Sequence, residues 1–184
     1  MRIIAGRFRG TALAALGKGD AAAHLRPTSD RVRESLFSML THRDVIEGAR
    51  VLDLFAGTGA LGLEALSRGA REVCLIENGR AGQRLITENI RKLRVETEAM
   101  LMRNDATRLG AWPNAPFDLV FLDPPYGQNL GQSALKAAGT QGWLRPDATV
   151  VWEESAPMQP PEGFALLDNR RFGDTHVTLL LFTG

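Results

Sequence analysis

From Arg50 onward, short apolar runs alternate with segments whose apolar residues return every three or four positions. That alternation predicts a parallel sheet covered by helices on both faces. Strands are expected near 50–54, 72–77, 98–102, 117–122 and 148–153, helices near 60–68, 80–93 and 131–140, and a short helical turn around 106–110. Ala81, Leu85, Ile86, Ile90 and Leu93 share one face of the helix at 80–93 and read as core. Upstream, Val32, Leu36, Phe37 and Leu40 line a helix whose entry is restrained by Pro27 and whose N-cap is Thr28. This helix should pack on the body and turn Arg31 and Arg33 elsewhere. At the other end, prolines 157, 160 and 161 break the pattern, and 164–170 and 175–182, joined by Phe172-Gly173-Asp174, predict an antiparallel hairpin closing an otherwise parallel sheet. Arg2 to Leu13 alternates loosely around Gly6 and Gly10 and predicts a short hairpin or an extended arm. Gly17 to Ala23 reads as a loop.

With 184 residues, 44% of them hydrophobic, the chain can bury one full core. The expected division is a basic N-terminal arm, 1–24, and one domain, 25–184. The net charge of +1 hides a polarity: residues 1–33 hold seven basic residues against Asp20 and Asp30, which leaves the remainder acidic. A basic arm on an acidic body is a layout for binding a polyanion. The single cysteine, Cys74, lies in an apolar run, so no disulfide forms within the chain and a reducing cytosol is expected. No secretory leader and no run of transmembrane length occurs, which predicts a cytoplasmic protein without a membrane partner; a monomer is expected. His24, His42 and His176 lack the spacing of metal ligands, and no metal is expected. Neither a nucleophile elbow nor a phosphate-binding P-loop is present.

The stretch from Val51 to Gly62 reads as strand, glycine turn and helix. Gly57 and Gly59 let the backbone approach a ligand, and Gly62 lets the helix pack against the sheet. The spacing Gly57-x-Gly59-x-x-Gly62, with Glu77 downstream, also satisfies the fingerprint of NAD-binding folds. Two details favour S-adenosylmethionine (SAM) instead. Asp53 places a carboxylate where a pyrophosphate would collect, repelling phosphate and attracting an ammonium, and the turn carries bulky Phe55.

Ligands of open parallel sheets bind beyond the carboxyl ends of the strands, and acids stand at four such ends: Asp53, Glu77, Asp105 and Asp123. Glu77 is placed to accept the hydroxyls of a ribose, and Asn104-Asp105 the amino edge of adenine. Taken singly, each acid is equally a helix cap or turn residue. Asp123-Pro124-Pro125-Tyr126 is more specific. The two prolines fix the backbone and remove its N–H groups, leaving carbonyl acceptors suited to an NH₂ donor. An exocyclic base amine held by the Asp123 carboxylate and the Pro124 carbonyl would aim its lone pair at the sulfonium methyl. Tyr126 would stack on the base, a contact typically contributing about 1–3 kcal/mol.

Three motifs together, Asp53-Leu54-Phe55-Ala56-Gly57-Thr58-Gly59, Asp123-Pro124-Pro125-Tyr126 and Arg26-Pro27-Thr28-x-x-Arg31-Val32-Arg33-Glu34, resemble the RsmD family of 16S rRNA (guanine(966)-N(2))-methyltransferases. The likeness runs from Ile3-Ile4-Ala5-Gly6 to the terminal hairpin, although Leu16 to His24 matches no motif. It implies a class I, Rossmann-like SAM-dependent methyltransferase fold, α/β, with a seven-stranded, mostly parallel sheet. It also implies methyl transfer to the N2 amine of a guanine in 16S rRNA or the small ribosomal subunit. Carried over, Asp53, Gly57, Gly59 and Glu77 would hold SAM, Asp105 the adenine, and Asp123 to Tyr126 the guanine. Arg26, Arg31 and Arg33 would lie beside cosubstrate and RNA, joined by Arg7 and Arg9 from the arm. The competing readings are a DNA or protein-glutamine methyltransferase, an NAD-binding oxidoreductase and a catalytically silent RNA-binding module.

Overall fold

The computed structural model describes residues 1–15 and 29–184. The body alternates strands and helices: α1 (Asp30–His42), β1 (Arg50–Leu54), α2 (Ala60–Ser67), β2 (Glu72–Ile76), α3 (Arg80–Leu93), β3 (Ala99–Met102), a 3₁₀ turn (Ala106–Arg108), β4 (Phe117–Leu122), α4 (Leu130–Thr140), β5 (Leu144–Glu154), β6 (Phe164–Phe172) and β7 (Thr175–Phe182). The strands form one seven-stranded sheet in the order β3-β2-β1-β4-β5-β7-β6, parallel from β3 to β5, with β7 antiparallel to both its neighbours. The chain winds from β1 outward to β3 on one side and from β4 outward on the other, so the crevice between β1 and β4 is where strand order reverses.

Alternation along the buried strands divides the core. Val51, Val73, Leu119, Phe121 and Val151 pack with Leu36, Phe37, Leu63 and Ile86 on one face. Leu52, Leu54, Val120, Leu122 and Trp152 pack with Ala134, Leu135 and Trp143 on the other. β5 begins earlier than its apolar run foretells. Leu144 pairs with Phe117, and the register then jumps to Leu119 opposite Thr149, with Arg145 to Asp147 exposed in an irregularity that accommodates Pro146.

Residues 1–13 form the expected hairpin, with Arg2 bridged to Ala12, but it is bound to the body. Ile3 and Leu13 are buried in the core, Glu64 of α2 accepts from the Ile4 and Ala5 amides at 2.8 and 3.1 Å, and the Ser67 hydroxyl accepts from the Phe8 amide at 3.0 Å. The boundary expected at residue 24 lies outside the described residues, as do Thr28, Arg26 and the loop at 17–23. α1 is capped by Ser29, whose hydroxyl accepts from the Val32 amide. Among the described residues no helix is long and apolar enough to cross a membrane.

Candidate active site

β1 ends in a sharp turn. Phe55, Gly57 and Gly59 all have positive φ (61°, 57° and 77°), and the Ala56 amide donates to the Ile76 carbonyl at 2.9 Å, which fastens the turn to β2. Phe55 adopts this conformation despite its side chain, which packs half-buried against the α4 side of the core. Gly59 begins α2 without a side-chain cap; a carboxylate from the strand supplies the missing acceptor, Asp53 Oδ2 receiving the Gly62 amide at 2.9 Å. A Cβ on Gly62 would stand 2.6 Å from Val73 Cγ2 and 2.8 Å from Leu75 Cδ2, so this glycine does bring helix and sheet together.

Glu77, one residue beyond β2, reaches back to the same turn. Its Oε2 accepts from the Gly57 amide at 2.8 Å and its Oε1 from the Gly79 amide at 2.6 Å. Gly82 makes this possible, since a Cβ there would lie 2.8 Å from Glu77 Cδ and from the Gly57 carbonyl oxygen. Gly79 and Gly82 were not singled out from sequence, although the spacing Glu77-x-Gly79-x-x-Gly82 carries the signal. Burial pushes the Asp53 carboxyl up to about 7, with the Gly62 amide pulling it down and the Glu77 charge adding to the rise.

Across the crevice, Leu54 pairs with Leu122 and Leu122 with Trp152. Asp123 and Glu153 therefore follow at the same level on adjacent strands. Asp123 is raised well above the usual carboxylate range by burial first, then by the charges of Glu153, Asp53 and Glu154. Pro124 is buried, while Pro125 and Tyr126 are exposed, Tyr126 by 37%. Its hydroxyl lies near the Thr175 side chain at the start of β7, and burial pushes its pKa up to about 12. Glu153 and Glu154 are further acids beside the candidate site that sequence reasoning missed. The buried run ending in Glu153-Glu154 was the available sign.

The structure thus brings together Asp53, Gly57, Gly59 and Glu77 on one wall and Asp123 to Tyr126 on the other. Asn104 and Asp105 follow the end of β3, whose last residue, Met102, accepts from the Glu77 amide at 3.1 Å. Asn104 is exposed, and Asp105 caps the 3₁₀ turn, accepting from the Thr107 amide and hydroxyl at 2.9 and 2.7 Å; those bonds hold its carboxyl below the ordinary value.

The arginines divide as well. Arg31 is exposed on α1. Arg33 corrects the expectation that it turns away from the body: it is fully buried, donating to the Arg2 carbonyl and Asp30 at 2.7 Å and standing 3.8 Å from Glu64. Burying that charge is tolerable because two carboxylates and a carbonyl surround it. Arg7 and Arg9 sit at the hairpin turn beside Ser67, the far end of α2 from the glycine turn, with Arg7 paired to Glu98 at 2.7 Å. Arg26 lies outside the described residues.

A parallel sheet with this strand order, a glycine turn held by two acids and an Asp-Pro-Pro-Tyr segment across the crevice define a Rossmann-like methyltransferase, and solved structures bear this out. The chain is similar to a putative methyltransferase from Escherichia coli (TM-score 0.85, 35% identity, covering 100% of this chain and 98% of that one). It is also similar to a putative methylase from Haemophilus influenzae (TM-score 0.78, 33% identity, 100% and 98%). A putative RNA methyltransferase from Pyrococcus horikoshii shares the fold at 19% identity (TM-score 0.71, 94% and 93%). The family described as "Conserved hypothetical protein 95" matches residues 1–181. Among curated relatives, ribosomal RNA small subunit methyltransferase D of H. influenzae is 37% identical over 94% of this chain and 89% of its own length, and its E. coli counterpart 39% over 83% and 74%. The chain belongs to this family, the RsmD methyltransferases.

Proposed function

We propose that this protein transfers a methyl group from SAM to the exocyclic N2 amine of a guanine in 16S rRNA, at the position the RsmD family name gives, guanine 966. The observation that carries the reading is the crevice itself, with Asp53 and Glu77 bonded to the glycine turn on one side and Asp123-Pro124-Pro125-Tyr126 on the adjacent strand. The names of the relatives support rRNA of the small subunit as substrate.

The residues present fit SAM. The turn is surrounded by buried carboxylates, and among the described residues no lysine or arginine is bonded to it, a setting that favours a cationic ligand over a pyrophosphate. Bound there, SAM supplies an electrophilic methyl group. Asp53 draws the ammonium end, directly or through water, and Glu77 keeps acceptor capacity for ribose hydroxyls beyond the two amides it already holds. Asn104 and Asp105 are proposed to meet the adenine. Asp105 would do so with the acceptor capacity its cap leaves over.

On the facing wall, half-exposed Tyr126 stacks on a base turned out of the RNA. Asp123 accepts an N–H of the target amine with the Pro124 carbonyl as second acceptor, orienting the nitrogen lone pair. As the N–CH₃ bond forms and the S–CH₃ bond breaks, positive charge on the nitrogen is met by the Asp123 carboxylate. Its raised pKa makes it a stronger proton acceptor than an ordinary carboxylate. Arg31, and Arg7 and Arg9 farther off, are proposed RNA contacts; buried Arg33 holds structure instead.

The test is methyl transfer from labelled SAM to naked 16S rRNA and to small subunits, followed by mapping of the modified nucleotide. Label at N2 of one guanine is expected. Label on another base, on DNA or on protein would replace this reading, and calorimetry showing NAD bound in preference to SAM would end it.

A further inference from the structure

The acid-rich mouth raises a physical difficulty for an RNA enzyme. Asp53, Glu77, Glu153 and Glu154 are buried there around Asp123, so the reacting end of the molecule repels phosphates and cannot by itself supply affinity for a polyanion. The grip must lie elsewhere.

A groove of about 520 Å³ runs between α3 and the free edge of β3, from Glu96 and Ala99 at the start of the strand to Arg103 just past its carboxyl end. Ile90, Ala99 and Leu101 form its apolar floor, exposed Arg91 and Arg103 stand on opposite rims, and Glu96 is the one acid among the described lining residues. Neither arginine has an ion pair among the described residues. On α3, Arg80, Arg84, Thr87 and Arg91 recur at the spacing of a single helical face. Residues 80–103 hold six basic residues against three acids, and one of those acids, Glu98, is occupied by Arg7 of the hairpin turn. The groove is therefore continuous with the turn that carries Arg7 and Arg9. Together they form a basic band reaching from the far end of α2 to Arg103, one residue past the end of β3.

We propose that this groove holds the sugar–phosphate backbone of the RNA outside the target nucleotide, Arg91 and Arg103 each meeting a phosphate. The inference rests on RNA being the substrate. Among the described residues the groove pairs two exposed arginines with an apolar floor, a layout for phosphate contact that positions the RNA backbone.

The experiment measures binding of a 16S rRNA fragment across a salt series for the wild-type protein, for Arg91→Ala/Arg103→Ala and for Arg91→Lys/Arg103→Lys, with SAM affinity and thermal unfolding as checks on the fold. The alanine pair is expected to weaken RNA binding by about tenfold and to flatten the log–log salt slope by roughly 1.4, as for two phosphates on a single strand, while the lysine pair keeps the slope. Wild-type methylation of RNA with an unchanged slope in the alanine pair overturns the groove and leaves the function standing. Normal binding to naked RNA with loss only on assembled subunits assigns the groove to a ribosomal protein and also overturns the proposal. A wild-type protein that neither binds nor methylates RNA fails the substrate reading, and the groove with it.

Discussion

The two walls of the crevice use the same residue type in opposite ways. On the β1–β2 wall, Asp53 and Glu77 are already satisfied: three backbone amides, those of Gly62, Gly57 and Gly79, point into their carboxylates at 2.6–2.9 Å. On the β4–β5 wall no amide or hydroxyl among the described residues donates to Asp123, and its nearest charged neighbours are acids. The first wall is finished before ligand arrives, and its acids shape the backbone. Asp123 has no such donor among the described residues, and the proposed target amine would supply one.

This contrast can be broken deliberately. Asp123→Ala should have the largest effect, lowering turnover on rRNA by about 10²- to 10³-fold while leaving SAM affinity within about twofold. A matching loss of SAM affinity would mean that the walls do not work separately. Glu77→Ala removes the acceptor for two amides and should do the reverse, weakening SAM binding by about 2 kcal/mol, or some thirtyfold, as read by calorimetry. Asp53 gives a pH signature. Its folded-state value of about 7 lies above the unfolded value of about 3.9, so its contribution to stability is present below about pH 4 and is lost as pH rises through about 7. An ammonium ligand prefers the ionised form, so SAM affinity should rise several-fold over the same interval, and Asp53→Asn should flatten the rise. The smallest change is expected for Tyr126→Phe, which keeps the ring and removes only the hydroxyl; kcat/KM for RNA should change by no more than about threefold, whereas Tyr126→Ala should cost about tenfold or more.

Much of this was legible in the chain. The strands came from buried runs of Val, Leu, Ile and Phe, and α3 from Leu85, Ile86, Ile90 and Leu93, because a sheet covered on both faces forces strong patterns. The early start of β5 was not legible, since Arg145-Pro146-Asp147 carries no apolar signal and joins the strand only through pairing of Leu144 with Phe117. Asp53, Glu77 and Asp123 were found because each ends a recognisable strand. Glu153 was passed over because its partnership with Asp123 is a matter of register between β4 and β5, which periodicity does not reveal. Arg33 misled for a related reason. An arginine on a charged segment reads as surface, and only the approach of Asp30, Glu64 and the Arg2 carbonyl makes an interior position tolerable.

The seating of the N-terminal hairpin has a consequence for how this family can vary. Glu64 and Ser67 hold it through the main-chain groups of Ile4, Ala5 and Phe8, with Ile3 and Leu13 buried in the core and the Met1 and Phe8 side chains packed against it. Its attachment therefore asks little of most side chains at the tip; Gly6 is an exception, since a Cβ there would stand 1.7 Å from the Ser67 carbonyl oxygen. Apart from Gly6 and Phe8, residues at its tip can be exchanged without loosening the hairpin from the domain that carries it.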